Sequence, residues 1–285
     1  MSNRGAILYS TSNAASLNIV RHLETDWNWK REGPASLSFS PCAKPDCHCG
    51  AQARGYGKEI IAIEPDFPAP YFLYASSHKS AAGKPALTAH IPGNWAAADF
   101  GGKPRTLNMA YASKLKQILQ LLAEGAKKHQ LGWPVDMEVD HHGPTPGPLD
   151  GIGENGKAAL PPLVFVEIGS GPEQWENELA GKVVAEAMMK ALFRPAPPAP
   201  VYLGLGGGHY APKFTPLMIS GEEAVGHVGP KPHAASFDAT MLQQAIEKTQ
   251  EKVAGALIDW KGLPGEQRER IITLLEEDGM KWKKI

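Results

Sequence analysis

Cysteine is scarce in these 285 residues: Cys42, Cys47 and Cys49 are the only three, and they crowd into one short stretch. Thiols so close together cannot staple a fold of this size, and any pairing leaves one over, so reduced thiols are expected. No apolar run approaches the ~18 residues a membrane span needs, and Met1 to Tyr9 lack the charged-then-apolar pattern of a signal segment. A soluble, cytoplasmic protein without membrane contact is therefore expected. Neither sign of charge dominates, because 29 Lys and Arg face 30 Asp and Glu. That balance lacks the positive field of a dedicated DNA-binding domain, so DNA is not an expected partner and any nucleic-acid contact must come from a local patch.

Several chemical signatures are also missing. Gly204-Leu-Gly206-Gly-Gly-His209 carries His where a dinucleotide fingerprint needs its third Gly, and there is no Walker A sequence. There is no Gly-x-Ser-x-Gly elbow and no His-Glu-x-x-His helix. Nucleotide cofactors and a covalent serine mechanism lose support. Water attack assisted by a metal or an imidazole remains the simplest hydrolytic option.

What the chain does contain is a globular composition, 42% hydrophobic and 21% charged, with 30 Gly and 25 Pro that imply extensive ordered loops. Short apolar runs alternate with helix-period segments, the pattern of an α/β protein with a largely parallel sheet. Strands are expected near 5–10, 59–63, 70–76, 86–91, 135–140, 163–168, 201–205 and 254–260, and helices near 12–24, 106–130, 173–193, 238–250 and 264–277. In the second helix, Leu107, Tyr111, Leu115, Ile118, Leu119, Leu122 and Ala126 form one apolar stripe, which predicts Lys114, Lys116 and Lys127 on the outer face. Ser170 and Glu173 have the spacing of a capping box at the start of the third. Residues 1–285 read as a single domain with inserted loops near 40–58 and 143–162.

Polar, glycine-containing turns follow the expected strands, and in open parallel sheets such ends line a ligand crevice. These turns are His90-Ile-Pro-Gly-Asn94, Asp140-His141-His142-Gly143, Glu167-Ile-Gly-Ser170, Gly206-Gly207-Gly208-His209 and Asp259-Trp-Lys261-Gly262. Imidazole and carboxylate on one rim suit either Zn²⁺ binding with an open position or proton transfer at neutral pH. In an extended strand His141 and His142 would point to opposite faces, and the glycines before His209 also fit a simple tight turn. Glu167 lies in an apolar strand, so burial would demand a cation, a metal or a raised pKa, and an ion pair with Lys261 is one way to satisfy it. Cys42, Cys47, His48 and Cys49 have a spacing that fits a structural zinc clip and equally a loop of reduced thiols.

Taken in order, eight segments resemble the archaeal and plant type of D-aminoacyl-tRNA deacylase. They are Ser12 to Ile19, Ala75 to His78, Pro85 to Trp95, His141 to Thr145, Glu167 to Ser170, Gly206 to Lys213, Gly226-His227 and Asp259 to Gly262. The resemblance implies a three-layer phosphorylase/hydrolase-like fold with a mixed, largely parallel central sheet flanked by helices. It also implies hydrolysis of the ester of D-aminoacyl-tRNA at the acceptor end, which is chiral proofreading, with zinc as cofactor; a monomer is expected. By position in its motifs, His78, His90, His142, Glu167, His209 and His227 are candidate metal ligands, and His141, His142, Glu167, His209 and Lys261 are candidate catalytic groups. Asn94, Gly206, Gly207, Gly208 and Lys213 are candidate substrate contacts, with Lys213 and Lys261 suited to phosphate or a developing oxyanion. Asp140 stands where the family usually has Thr, adding a carboxylate able to partner an imidazole. Lys103, Arg105, Lys114, Lys116 and Arg268 are candidate cations for contact with the tRNA. Two other readings use the same rim: a zinc-dependent peptidase or amidase for small substrates, and a non-catalytic RNA-binding module.

Overall fold

The computed structural model describes residues 4–41, 50–151 and 158–285; Cys42, Cys47, His48 and Cys49 lie outside them. In chain order the elements are β1 (Ala6–Ser10), α1 (Ala14–Trp27), β2 (Lys30–Gly33), β3 (Ser36–Phe39), β4 (Ala51–Tyr56), β5 (Phe72–Ser77), β6 (Ala86–His90), β7 (Gly93–Asn94), β8 (Thr106–Leu107), α2 (Ala112–Lys128) and β9 (Val135–Met137). They continue with β10 (Leu163–Gly169), α3 (Pro172–Trp175), α4 (Glu178–Phe193), β11 (Val201–Leu205), α5 (Phe214–Ser220), β12 (Ala224–Gly229), α6 (Ala239–Glu247), β13 (Val253–Ile258), α7 (Gly265–Glu277) and β14 (Trp282–Lys284).

Two principal sheets result. The larger has strand order β2-β3-β4-β1-β5-β10-β6-β9, and the smaller, wholly parallel, has β12-β11-β13-β14. In the larger sheet β4, β1, β5 and β10 run parallel, but β6 pairs antiparallel with β10 and β9 then pairs parallel with β6. Period-two alternation sorts its side chains. Ile7, Leu73, Ala75, Leu87, Ala89, Met137, Val164 and Val166 pack in one core with residues of α1, α2 and α4. Leu8, Phe72, Tyr74, Leu163 and Phe165 turn to the other face, where Ile60, Ile63 and Ala69 cover them.

Side-chain oxygens start the main helices. Asn13 Oδ1 accepts from Ser16 N at 2.9 Å, Asn177 Oδ1 from Ala180 N at 2.9 Å, and Asp238 Oδ1 from Met241 N at 3.0 Å. The helix expected over 173–193 divides into α3 and α4. Ser170 does not cap it; its hydroxyl donates to Lys84 O at 2.7 Å, and Gly171 precedes α3 without a side-chain bond. The strand expected near 59–63 is a 3-10 turn at Ile60–Ala62, and part of the expected 40–58 loop is β4, paired with β1. The sequence reading also missed β12, the strand that carries His227.

Lys114 and Lys116 correct the periodicity reading, because they are only 2% and 7% exposed. Lys114 Nζ donates to Gln117 Oε1 and to Ala191 O and Arg194 O at the end of α4. Lys116 Nζ donates to Leu217 O, Met218 O, Gly221 O and Glu223 O at 2.8 to 3.1 Å, satisfying carbonyls at the end of α5. Both sheets and α4 surround α2, so it has almost no outer face near its start, and these ammonium groups replace caps rather than meet solvent. Lys127 is exposed as expected.

Glu186 of α4 ties the other end of α2 down, 2.8 Å from Lys128, 2.7 Å from His129 and 3.0 Å from Lys190. Burial alone would raise its pKa, but bonds to Lys128, His129 and Lys190 lower it from 4.5 to about 2. A depressed carboxylate contributes stability that is complete above its ordinary pKa and fades as pH falls through the folded value. Denaturant titrations of Glu186→Gln should therefore show lower stability at pH 7 and a shallower loss between pH 4.5 and about 2 than the parent shows. Parallel curves for the two proteins would contradict this.

Candidate functional site

The same alternation that builds the loop-covered face of the large sheet also places its polar groups. On β10, Glu167 shares parity with Leu163 and Phe165. It faces Ser76 on β5 and Thr88 on β6 across the ladder. His90 lies directly opposite Phe165. Glu138 N, just past β9, donates to Ala89 O and brings the Glu138 side chain onto this face. Because β6 and β9 run against β5 and β10, groups from opposite strand directions meet over the sheet face. The expected crevice beyond one shared rim is not where they gather.

From Glu138 the chain crosses to the smaller sheet. Val139 N donates to His209 O at 3.0 Å and Asp140 N to Val228 O at 2.9 Å. His142 then takes φ 34° and Gly143 φ 100°, leaving the extended conformation. This turn resolves the two-face question: both imidazoles join the cluster, with the His141 and His142 rings 4.1 Å apart and the His90 ring 4.1 and 4.9 Å from them.

Glu138 is the centre of the cluster. His78 Nδ1 lies 3.1 Å from Oε1, while His141 Nε2 and His209 Nε2 each lie 3.3 Å from Oε2. Glu167 sits behind, 3.9 Å from His90 Nε2 and 3.8 Å from His78 Nδ1. Ser76 Oγ donates to it at 2.8 Å and Thr88 Oγ1 at 3.4 Å.

Tautomers follow from the outer contacts. His141 Nδ1–H donates to Val139 O at 2.7 Å and His90 Nδ1–H to Ile91 O at 3.2 Å. Each ring therefore turns a bare Nε2 lone pair toward a carboxylate oxygen. Acceptor facing acceptor is stable only with a proton or a cation between them. His90 Nε2, His142 Nδ1 and both Glu138 oxygens are buried without a regular hydrogen bond. His90, His141 and His142, and likewise His78, Glu138 and His209, converge donor atoms to within 4.8 Å of one another, as do His90, Glu138 and Glu167. This donor set fits a divalent cation of the kind imidazole and carboxylate ligate.

The electrostatics separate the two acids. Burial would raise the pKa of Glu138, but the His209 bond and the fields of His141, His90 and His78 outweigh it and hold the group well below the carboxylate range. Glu167 is pushed far up, first by burial and then by the Glu138 charge. Burial drives His90 and His142 well below their ordinary value, neighbouring imidazoles adding to the effect, and burial lowers His141 and His78 against the opposing pull of Glu138. Neutral imidazoles are the form that binds metal. At His209 the pull of Glu138 overrides burial and raises the pKa.

Other expected site residues lie elsewhere. His227 stands outside the cluster, its Nδ1 2.7 Å from Asp140 Oδ2 and its Nε2 3.2 Å from Lys248 O. Asp140 is thus the carboxylate that partners an imidazole, and it also accepts from Trp95 Nε1 at 3.0 Å and Val228 N at 2.9 Å. Lys261 is exposed and makes no ion pair with Glu167 or any other group among the described residues, so the expected pairing is not realised. Lys213 is likewise exposed, at the start of α5. Asn94 is tied to Gly101 O and Lys103 O, and the Gly206 N–H is committed to Gly229 O. Gly207 and Gly208 flank His209, with Gly207 at φ 94°. Sequence reasoning missed Glu138, Ser76, Thr88 and Tyr210, whose hydroxyl is 3.0 Å from His78 Nε2. Glu138 had a signal: in Val135-Asp-Met137-Glu138-Val139 acids alternate with apolar residues.

A family profile described as D-aminoacyl-tRNA deacylase matches residues 67–283. A D-aminoacyl-tRNA deacylase of Pyrococcus abyssi is 36% identical across 98% of both chains. One from Thermococcus kodakarensis is 39% identical over 73% of this chain and 71% of its own. A crystal structure described as a conserved protein of unknown function superposes with a TM-score of 0.83 at 26% identity, covering 100% of this chain and 96% of that one.

The three hydrogen bonds to the Asp140 carboxylate fix the segment from which Glu138, His141 and His142 project. Asp140→Asn keeps the size but weakens the clamp, and should reduce divalent-metal affinity by about tenfold in calorimetric titration, the scale seen when outer partners of metal ligands are lost. Unchanged affinity would show that the clamp does not set the imidazoles.

Proposed function

This chain belongs to the D-aminoacyl-tRNA deacylase family, and from that premise we propose that it hydrolyses the ester joining a D-amino acid to the 3′ end of tRNA. The released products are the free D-amino acid and tRNA. A cytoplasmic location is part of this proposal, as it suits an enzyme of aminoacyl-tRNA; among the described residues no helix is long and apolar enough to cross a membrane. The observation that carries the chemistry is the pair of imidazole lone pairs, on His141 and His90, aimed at the buried oxygens of Glu138 and Glu167.

We assign zinc as the cofactor, held by His90, His141 and His142, the donor set whose three rings are all driven neutral. When bound, the metal supplies Lewis acidity to the ester carbonyl and to water. The chain's own groups handle the protons. Glu138, kept ionised among imidazoles, accepts one from the attacking water. His209 has a raised pKa and a side chain 44% exposed, so it holds a proton where a leaving ribose oxygen can collect it. Glu167, kept neutral by burial and by the Glu138 charge, donates a hydrogen bond rather than adding a second negative charge. His78 holds the other side of Glu138 and is itself oriented by Tyr210. The peptidase reading gains no observation of its own, and a purely RNA-binding module leaves the buried acceptor pairs without a purpose.

Purified protein incubated with D-tyrosyl-tRNA and L-tyrosyl-tRNA, with and without a chelator, should release D-tyrosine rapidly, release L-tyrosine hardly at all, and stop when chelated. Equal release from both would remove chiral proofreading. His142→Ala should lose at least about a hundredfold in kcat while its circular dichroism spectrum stays native, since it deletes a metal donor. Wild-type turnover in that variant would refute its assignment.

A further inference from the structure

Three loops at the carboxyl ends of the small sheet come together beside the catalytic cluster. Gly206 N donates to Gly229 O, Lys231 N to Gly207 O and Asp259 N to Leu205 O. A Cβ on Gly262 would stand 2.7 Å from Gly207 N, so the turn after β13 presses on the turn after β11. Lys213, Lys231 and Lys261 are exposed on these loops, and among the described residues none of the three makes an ion pair. Trp260, next to Lys261, carries Arg268 at 4.1 Å and Lys284 at 4.6 Å over its ring, which draws two more cations to the same rim. Asp259, the acid within the turn, is buried and bonded to Gly262 N. A chain with a net charge of only −1 thus gathers unpaired lysines on three converging loops.

Three of the other cations named for the tRNA are occupied. Lys114 and Lys116 are buried in carbonyl cages, and Arg105 is 2.6 Å from Asp238. The rim is also continuous with the site. The loop that bears Lys213 also bears His209, 3.3 Å from Glu138, and Val139 N binds its carbonyl.

We propose that this three-loop rim is the surface on which the phosphates of a single-stranded RNA 3′ end lie, with Lys213, Lys231 and Lys261 as their direct contacts. The proposal rests on the deacylase reading for the identity of its partner, and it adds where the nucleic acid sits. Backbone phosphates give sequence-tolerant, salt-sensitive binding, which suits an enzyme that must accept many acceptor ends.

The test is fluorescence anisotropy with a labelled, uncharged RNA hairpin ending in single-stranded CCA, titrated at several salt concentrations. The wild-type log affinity should fall linearly with log salt. The triple variant Lys213→Ala, Lys231→Ala, Lys261→Ala should bind at least about tenfold more weakly and flatten the slope by about 2, as loss of roughly three phosphate contacts predicts. A control triple at exposed lysines elsewhere, Lys58→Ala, Lys127→Ala and Lys182→Ala, should match the wild type, and unchanged melting temperatures should confirm that all three proteins are folded. Wild-type binding by the rim variant, an equal loss in the control, or absence of salt-dependent binding by the wild type would each overturn the proposal. Salt-dependent, rim-dependent binding by a protein that fails to hydrolyse D-tyrosyl-tRNA would instead overturn the deacylase reading and leave the rim standing.

Discussion

A carboxylate sealed from water and ringed by imidazoles is the constraint to which the rest of the molecule answers. Glu138 has no exposure, and removing an ionised carboxylate from water costs several kcal/mol unless opposite charge or directed donors replace the lost solvent. His209 responds by holding its proton more tightly, and Glu167, 3.9 Å from His90, responds by keeping its own. His141 and His90 do not respond in that way, because burial and the neighbouring imidazoles hold their pKa values down. What they offer is an unshared electron pair, the property that separates a metal site from a salt bridge.

Bringing those groups together required a reversal in the sheet. Antiparallel pairing with β10 sets His90 opposite Phe165, the residue that shares a face with Leu8, Phe72 and Tyr74. The short run from Glu138 to Asp140 then bridges the two sheets, bonding to β6, to the His209 loop and to β12 in succession. Asp140 anchors the bridge, and its partner His227 is supplied by a strand that periodicity did not reveal.

The placement of cations follows the same architecture. On a single-sheet helix, Lys114 and Lys116 would face water, which is what the apolar stripe of α2 indicates. Here the small sheet and α5 cover that side as well, and Lys116 spends its donors on four carbonyls. Lys213, Lys231 and Lys261, exposed and without an ion pair among the described residues, instead sit on loops that leave the small sheet, where helix periodicity has nothing to say.

Local patterns were readable because their causes are local. Five-residue apolar runs such as Ala6–Ser10 and the 3.6-residue stripe of Leu115, Ile118, Leu119 and Leu122 specify strand and helix through side-chain spacing alone. The same holds for the short polar turns that carry His90, His141, His142, Glu167 and His209, each adjacent to a strand that the residues themselves announce. Which of these turns meet was decided by strand direction and by one left-handed residue at His142, neither of which a linear spacing encodes. Glu138 acquired its role in the same way: between two apolar neighbours it reads as the polar side of a half-exposed strand, and only the second sheet, closing over it, turns that ordinary carboxylate into the buried centre of the site.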